Sequence, residues 1–174
     1  MIRLRPATRA DLPTLALIAN TAIDELLSQA LGPQELAASR MIMGVDTRLV
    51  DDGTYLVAEI DGEIAGCGGW SRRATLYGGD HSPGRDAALL NPAHDPARVR
   101  AMYTHPDFAR RGVGRAILAE AERQARAEGF QATELAATLS GAPLYEACGY
   151  QAIEHFTDAS GGHPVPLIRM RKSL

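Results

Sequence analysis

The sequence has few cysteines, few aromatic residues and no long apolar run. Its 174 residues include 2 cysteines, and Cys67 and Cys148 lie too far apart for a C-x-x-C motif. We therefore expect reduced thiols, with neither a disulfide nor a metal. The N-terminus lacks the apolar segment of a signal peptide, and no run approaches the roughly 20 apolar residues of a membrane span. These absences predict a cytoplasmic protein without a membrane partner.

Neither sign of charge dominates the chain. Its 18 lysines and arginines oppose 21 aspartates and glutamates, which gives a net charge of −3. Such a balance produces no general attraction for nucleic acid, so we expect no nucleic-acid partner and look for anion binding only at a local site. With 45% hydrophobic residues, a chain of this length can bury the core of one domain, which we predict to span residues 1–174.

Hydrophobic periodicity and turn residues predict an interleaved series of strands and helices. The predicted helices run from Thr8 to about Ala22, from Pro33 to Gly44, from Gly112 to Gly129 and from Ala142 to Gly149. The predicted strands are Ile2–Pro6, Thr54–Ile60, Glu63–Trp70, Ala97–Thr104, Phe130–Thr138, Gln151–Phe156 and Pro166–Lys172. Asp61-Gly62 indicates a hairpin turn, and the aperiodic stretch from Ser71 to Pro96 indicates a long loop of the kind that often carries function.

The stretch "ARRGVG", from Ala109 to Gly114, stands between a predicted strand and a predicted helix. A glycine-containing turn at a helix start presents free backbone N–H groups and the positive end of the helix dipole, which together favour an anion. The stretch is not a G-x-G-x-x-G dinucleotide motif, because Ile117 stands where the third glycine belongs. No Gly-Lys-Ser/Thr of a P-loop follows either.

These residues and their order resemble the GNAT superfamily of acetyl-CoA-dependent N-acetyltransferases. The phosphate loop of that family has the form Q/R-x-x-G-x-G/A, from which "ARRGVG" departs at Ala109. Further matches are "YTHPDF" before the loop and "LYEACGY", from Leu144 to Tyr150, after it. The resemblance covers nearly the whole chain except Ser71 to Pro96. It implies an α+β fold with a mixed, mostly antiparallel central sheet, flanking helices and a splayed parallel strand pair.

The resemblance also implies acetyl-CoA as the acyl donor and the residues that hold it. Backbone groups of Met102, Tyr103 and Thr104 would pair with the pantetheine arm, and Thr138 takes the place of a family asparagine near that arm. The loop residues implied for the pyrophosphate are Arg110, Arg111, Gly112, Val113, Gly114 and Arg115. The implied reaction is direct attack, within a ternary complex, by a primary amine of a small molecule or peptide. Relatives are often dimers, which makes a homodimer possible.

Tyr145 is the candidate catalytic residue, because the L-Y motif of the family places this tyrosine where the CoA sulfur departs. Proton transfer from a phenol of pKa ~10 to a thiolate of pKa ~8.5 is uphill by roughly 2 kcal/mol in water. We therefore expect Tyr145 to stabilise the thiolate by a hydrogen bond, with proton transfer as a further possibility.

The general base and the acceptor pocket are less defined. The strand "ARVRAMYT" contains no carboxylate, although many relatives have a glutamate near this strand. The long loop offers Asp80, His81, Asp86 and His94 as possible bases, and Trp70 and Tyr77 flank its start. Arg98 and Arg100 share a predicted strand face with Met102 and Thr104, so we hypothesise that they face the acceptor cleft and bind a carboxylate of the acceptor.

Three alternatives remain open from the sequence. One is transfer of another acyl group, or transfer to an O-linked acceptor, because the loop reads the phosphates of CoA and not its acyl chain. Another is a CoA-binding module without turnover, which the missing carboxylate base keeps open. The third is a nucleotide-binding protein, which would lack the lysine and the magnesium ligands expected for ATP.

Overall fold

A single mixed sheet takes strands from both ends of the chain. The computed structural model describes residues 1–174. The strands are β1 (Ile2–Pro6), β2 (Tyr55–Ile60), β3 (Glu63–Ser71), β4 (Ala97–Thr104), β5 (Ala132–Thr138), β6 (Gln151–Asp158) and β7 (Val165–Ser173). They lie in the order β1-β2-β3-β4-β5-β7-β6. All neighbouring strands are antiparallel except β4 and β5, which confirms the predicted α+β fold.

Helices cover both faces of this sheet. They are α1 (Leu12–Leu26), α2 (Pro33–Ile42), α3 (Thr47–Asp51), α4 (Val113–Ala127) and α5 (Ala142–Ala147). The apolar stripe of α4, which includes Val113 and Ile117, packs on Leu56 and Ala58. On the opposite face, Leu15 of α1 packs among the buried side chains of β2 and β3. None of the helices combines the length and the apolar character needed to cross a bilayer.

Two helices differ from the sequence prediction. The first predicted helix is divided, because a single helical turn at Arg9–Asp11 precedes α1. The Asp11 carboxylate accepts a hydrogen bond from the Thr8 N–H at 2.7 Å, as a capping interaction requires. Helix α3 was not predicted, since it is too short for a periodic signal. The Asp46 carboxylate caps it by accepting from the Arg48 N–H at 3.0 Å.

Strands β4 and β5 pair only at their first residues. The parallel register joins Ala97 to Thr133 and Arg98 to Glu134, and beyond this point β5 pairs only with β7. The edge of β4 that faces β5 is therefore unpaired from residue 99 to residue 104. This opening confirms the predicted splayed parallel pair, and it leaves main-chain donors and acceptors free for a ligand.

A bulge interrupts β4 within the opening. Arg100 lies opposite Gly69 and Tyr103 lies opposite Cys67, so Ala101 and Met102 together face a single residue of β3. Ala101 has the positive φ of 50°, and the Tyr55 hydroxyl holds it by donating to the Ala101 carbonyl at 2.7 Å.

The bulge reverses the side-chain alternation of β4. Met102 packs on the α4 side of the sheet, together with Val99, whereas Arg100 points to the side of α3, where it meets Asp46. The prediction that Met102 shares a face with Arg98 and Arg100 is therefore wrong. The physical reason is the extra residue at the bulge, which a strict two-residue period cannot show.

Ser71 is still the last residue of β3, and the predicted long loop is present from Arg72 to Pro96. Its only pairing is an isolated bridge between Arg73 and Leu89. Arg73 holds it to the body of the protein through Asp52 at 2.7 Å, and within the loop the Thr75 hydroxyl donates to the Asp86 carbonyl at 2.7 Å. The loop therefore has a defined path across the α3 side of β4.

Candidate active site

The chain turns sharply between β4 and α4. A single helical turn at Pro106–Phe108 follows His105, whose Nδ1 accepts from the Asp107 N–H at 3.2 Å. Arg110 then adopts a φ of 64° and Gly112 a φ of 86°, and α4 begins at the next residue. Two left-handed positions so close together aim successive peptide groups of the turn toward the start of the helix.

The backbone amides from Arg110 to Arg115 have no acceptor within the chain. The first amide of this segment to bond back is that of Ala116, which donates to the Gly112 carbonyl at 3.0 Å. Free amides at a helix start combine with the positive end of the helix dipole to favour a bound anion. The sequence "ARRGVG" therefore forms the type of turn that can hold phosphate groups.

The arginines of this turn divide into two groups. Arg110 and Arg115 are exposed and line the cleft beside the turn. Arg111 does not line the cleft, because its guanidinium stacks 5.1 Å from the centre of the Phe108 ring. The structure thus brings the side chains of Arg110 and Arg115 to the candidate anion site and places the side chain of Arg111 away from it.

The turn opens into a cleft of about 720 Å³ between the splayed strands. The sequence-predicted residues that line it are Met102, Tyr103, Thr104, Arg110, Gly112, Val113, Gly114, Arg115, Thr138 and Tyr145. Other lining residues include Leu26 at the end of α1, Leu27 directly after it, and Leu144 of α5. Sequence reasoning missed Leu26 and Leu27, since nothing in the sequence there distinguishes a cleft-lining leucine from a core leucine.

The two glycines of the turn serve different purposes. Gly112 is needed for its positive φ, because a Cβ there would meet no heavy atom closer than 3.9 Å. At Gly114 a Cβ would lie 2.8 Å from Leu144 Cδ2, so this glycine lets α4 approach α5 closely.

Tyr145 projects from α5 into the cleft and is otherwise buried. Its ring packs edge-on against Tyr150 at 5.8 Å between centroids, and no group of the protein bonds its hydroxyl. Burial raises the pKa of Tyr145 far above its usual value, so the phenol stays protonated at neutral pH. Its hydroxyl is thus a free hydrogen-bond donor. Thr138 lies nearby, where its Oγ1 accepts from the Gly141 N–H at 3.1 Å.

Comparison with known proteins identifies the family. Residues 51–152 match the model of the acetyltransferase (GNAT) domain. The chain belongs to this family. A GCN5-related N-acetyltransferase from Rhodopseudomonas palustris, also described as a class-II aminotransferase, is similar over 99% of this chain and 95% of its own, with 22% identity and a TM-score of 0.73.

Two solved structures that are similar to this chain contain coenzyme A or acetyl-CoA. The PaiA N-acetyltransferase of Thermoplasma acidophilum, in complex with coenzyme A, has 14% identity and a TM-score of 0.66 over 100% of this chain and 99% of its own. The putative acetyltransferase yncA of Salmonella typhimurium, with acetyl-CoA, has 17% identity and a TM-score of 0.66 over 100% of this chain and 94% of its own. At these identities the likeness establishes the fold that this GNAT protein shares with them.

A second cavity of about 120 Å³ lies at the splay, and we call it the acceptor cavity because we propose that it receives the acceptor. It shares Met43, Met102, Tyr103, Thr138, Gly141 and Tyr145 with the cleft, and residues 76–78 of the long loop also line it. Tyr77 lines this cavity, and its hydroxyl donates to Asp158 Oδ2 at 2.6 Å. The cleft and the acceptor cavity therefore meet at the tip of the splayed strand pair of this GNAT fold.

Arg100 and Arg98 do not offer free charges to an acceptor. Arg100 is only 2% exposed, and its Nη2 lies 2.9 Å from Asp46 Oδ2 and 2.7 Å from the Gly78 carbonyl. Arg98 pairs with the buried Glu134 at 2.8 Å. The hypothesis that both bind a carboxylate of the acceptor is therefore wrong, because carboxylates of this GNAT domain already occupy them.

The base candidates of the long loop lie outside both the cleft and the acceptor cavity. Asp80 accepts from the Thr47 N–H at 3.0 Å, and His81 Nε2 lies 3.0 Å from the Arg40 carbonyl. Asp86 receives the Ala88 N–H at 2.9 Å, and His94 stands in an exposed turn. Trp70 also stays out of both, since it is buried and donates to Gln124 at 3.0 Å.

Proposed function

We propose that this GNAT protein transfers an acetyl group from acetyl-CoA to the primary amine of a small molecule or peptide, by direct attack in a ternary complex. Family membership establishes acetyltransferase chemistry as the starting point. The observation that carries the proposal is the set of unpaired amides from Arg110 to Arg115, which open into the same cleft as the Tyr145 hydroxyl. A cytoplasmic location and a homodimer are part of the same proposal.

The first step is capture of the pyrophosphate of CoA by the turn. The free amides would donate to phosphate oxygens, while Arg110 and Arg115 add positive charge at the rim. Most of these contacts come from the main chain. The departure from the family pattern at Ala109 therefore removes no main-chain donor.

The second step places the pantetheine arm along the open edge of β4. Met102, Tyr103 and Thr104 line the cleft at this edge, and β5 offers them no partner. An extended arm can bond there as an additional strand would. Thr138 lines the same space from β5, so the pantetheine arm would lie between Thr138 and the open edge of β4.

The third step is attack of the amine on the thioester. Negative charge then collects on the thioester oxygen, and a pre-aimed amide at Met102 or Tyr103 would stabilise it. The bulge at Ala101 supports this assignment, because the Tyr55 hydroxyl fixes the backbone immediately before those amides. As the C–S bond breaks, Tyr145 would donate its hydrogen bond to the departing thiolate. The nitrogen would lose its extra proton to that thiolate or to water, which leaves the amide and the CoA thiol.

Calorimetry and an enzymatic assay test the proposal together. Acetyl-CoA should bind with measurable heat and raise the Tm, whereas ATP and NAD should do neither. Thiol release should then occur with some members of a panel of primary amines. Binding without any thiol release would indicate a CoA-binding module, and the absence of heat with acetyl-CoA would overturn the proposal altogether.

Tyr145→Phe tests the role assigned to the phenol. We expect kcat to fall about 10- to 100-fold, since a donor aimed at developing charge is lost, while the Kd for acetyl-CoA stays within about twofold. Tyr150→Phe is the matched control, because that tyrosine bonds Thr133 at 2.7 Å and does not line the cleft. An unchanged kcat in Tyr145→Phe would remove Tyr145 from the mechanism.

A further inference from the structure

The walls of the active site contain no group suited to take a proton from an ammonium ion. Neither the cleft nor the acceptor cavity is lined by an aspartate, glutamate or histidine. The titratable side chains other than arginine are the phenols of Tyr77, Tyr103 and Tyr145 and the thiol of Cys67. All four are protonated at neutral pH, because burial raises the pKa of each phenol and brings the pKa of Cys67 to about 12.

The charges on these walls are also unsuited to a cation. Every charged lining residue is an arginine, namely Arg100 in the acceptor cavity and Arg110 and Arg115 in the cleft. Two carboxylates outside the acceptor cavity contact its lining side chains, and both are already engaged. Asp46 is buried and bonded to both Arg100 and Arg85, and Asp158 accepts from the Tyr77 hydroxyl at 2.6 Å. An ammonium ion in the acceptor cavity would therefore lose its water without gaining a counterion.

From these walls we infer that the acceptor is a weakly basic primary amine of the α-amino class, which enters already neutral, and not an alkyl amine of the lysine class. This inference rests on the proposed function. At pH 7 about one in ten amines of pKa ~8 is neutral, against about one in 2,500 of pKa ~10.4. A site that cannot remove the proton therefore selects for α-amino groups, because a much larger fraction of them is neutral at pH 7.

The size and lining of the acceptor cavity define the group next to the amine. At about 120 Å³ the space holds a small side chain, and most of its walls are apolar, with Leu76, Val99 and Leu135 among them. Arg100 is a poor partner for a carboxylate of the acceptor, because it already pairs with Asp46. The acceptor that fits best is therefore the first residue of a peptide or a similar amino acid amide. Its α-amino group is the nucleophile, its side chain is small and apolar, and its carboxyl group is an uncharged amide.

Thiol release from acetyl-CoA with size-matched amines tests this selection in the wild-type protein. Alaninamide represents the α-amino class and 3-methylbutylamine the alkyl class, both at pH 7.0. We expect kcat/KM per total amine to be at least about 30-fold higher for alaninamide, after allowance for the greater intrinsic nucleophilicity of the alkyl amine. Between pH 7 and 9, kcat/KM of the alkyl amine should rise about tenfold per unit, while that of alaninamide levels off near pH 8.

The outcomes separate the inference from the proposed function. Equal or better kcat/KM with 3-methylbutylamine at pH 7.0 overturns the inference but leaves the acetyltransferase intact. The absence of thiol release with both amines also overturns the inference, whereas failure to bind acetyl-CoA overturns the proposed function.

A carboxylate introduced at Met43 should relax the selection. Met43 is half-buried and lines both the cleft and the acceptor cavity. In Met43→Glu we expect kcat/KM for 3-methylbutylamine to rise about tenfold over Met43→Gln, which matches it in shape without the charge. Both variants are first checked for acetyl-CoA binding and Tm. An equal kcat/KM in the two folded variants counts against the inference, and the wild-type comparison decides the matter if neither folds.

Discussion

The arginines of β4 and the arginines of the turn before α4 differ in what surrounds them. Arg98 and Arg100 are enclosed by the fold and paired with Glu134 and Asp46 at 2.8 and 2.9 Å. Arg110 and Arg115 are exposed beside amides that have no acceptor in the chain. The first pair organises the protein, and the second pair is available to a ligand.

The difference lies in the partners and not in the arginines themselves. Asp46 stands 54 residues before Arg100 in the chain, and Glu134 stands 36 residues after Arg98. No local pattern links such positions, because only the fold brings them together. An arginine near a predicted site thus becomes a candidate ligand only once its possible carboxylate partners have been located.

The largest effect should follow from removing the charge of Asp46. Asp46→Asn leaves the buried Arg100 without its counterion, while the asparagine can still cap α3. We expect the free energy of unfolding to fall by about 3 kcal/mol or more in urea denaturation. Asp51→Asn is the control, since its pair with Arg9 is exposed and is worth about 0.5 kcal/mol. A loss below about 1 kcal/mol in Asp46→Asn would show that the two arginine pairs do not differ as described.

An intermediate effect, on binding, should follow from removing the arginines of the turn. We expect the double variant Arg110→Ala, Arg115→Ala to weaken CoA binding about tenfold and to reduce its dependence on salt, with stability changed by less than about 0.5 kcal/mol. Arg111→Ala should weaken binding less than about twofold, because its guanidinium lies on Phe108. Titration calorimetry at two salt concentrations measures both. Equal losses of CoA affinity in the double variant and in Arg111→Ala would contradict the distinction between Arg110 and Arg115, which line the cleft, and Arg111, which does not.

The smallest effect concerns a partly exposed pair of the long loop. Hydrogen bonds from Arg73 lower the pKa of Asp52, so this carboxylate binds its proton less tightly in the folded state than in the unfolded state. Its stabilisation is complete above the unfolded pKa of about 3.9 and is lost as the pH falls through the folded pKa. Asp52→Asn should therefore cost about 1 kcal/mol at pH 7, and this difference from wild type should shrink below about pH 4. A difference that is independent of pH would exclude the ion pair as its source.

Much of the fold was predictable because its signals are local. Asp61 and Gly62 take φ angles of 53° and 87°, as the predicted hairpin turn requires. Gly112 precedes α4 and Gly129 follows it, with φ angles of 86° and 93°. The bulge at Ala101 was not predictable, since it depends on a bond from Tyr55, a residue of another strand.

The candidate site was predictable on the side where the main chain forms it. Glycine spacing locates the turn from Arg110 to Arg115, whose free amides the structure displays. The opposite wall, at Leu26 and Leu27, and the neutralisation of Arg100 were not predictable. Both arise from packing between elements distant in sequence, for which the chain carries no periodic or short-range signal.

An anion site made of main-chain amides tolerates substitution of the residues that form it. Every residue except proline supplies the same N–H, so a turn of this kind needs only to keep its path, which Gly112 secures through its φ of 86°. Ala109 can replace a larger polar residue for that reason. Selection on such a turn acts on the shape of the chain, which leaves the neighbouring side chains free to evolve toward different acceptors.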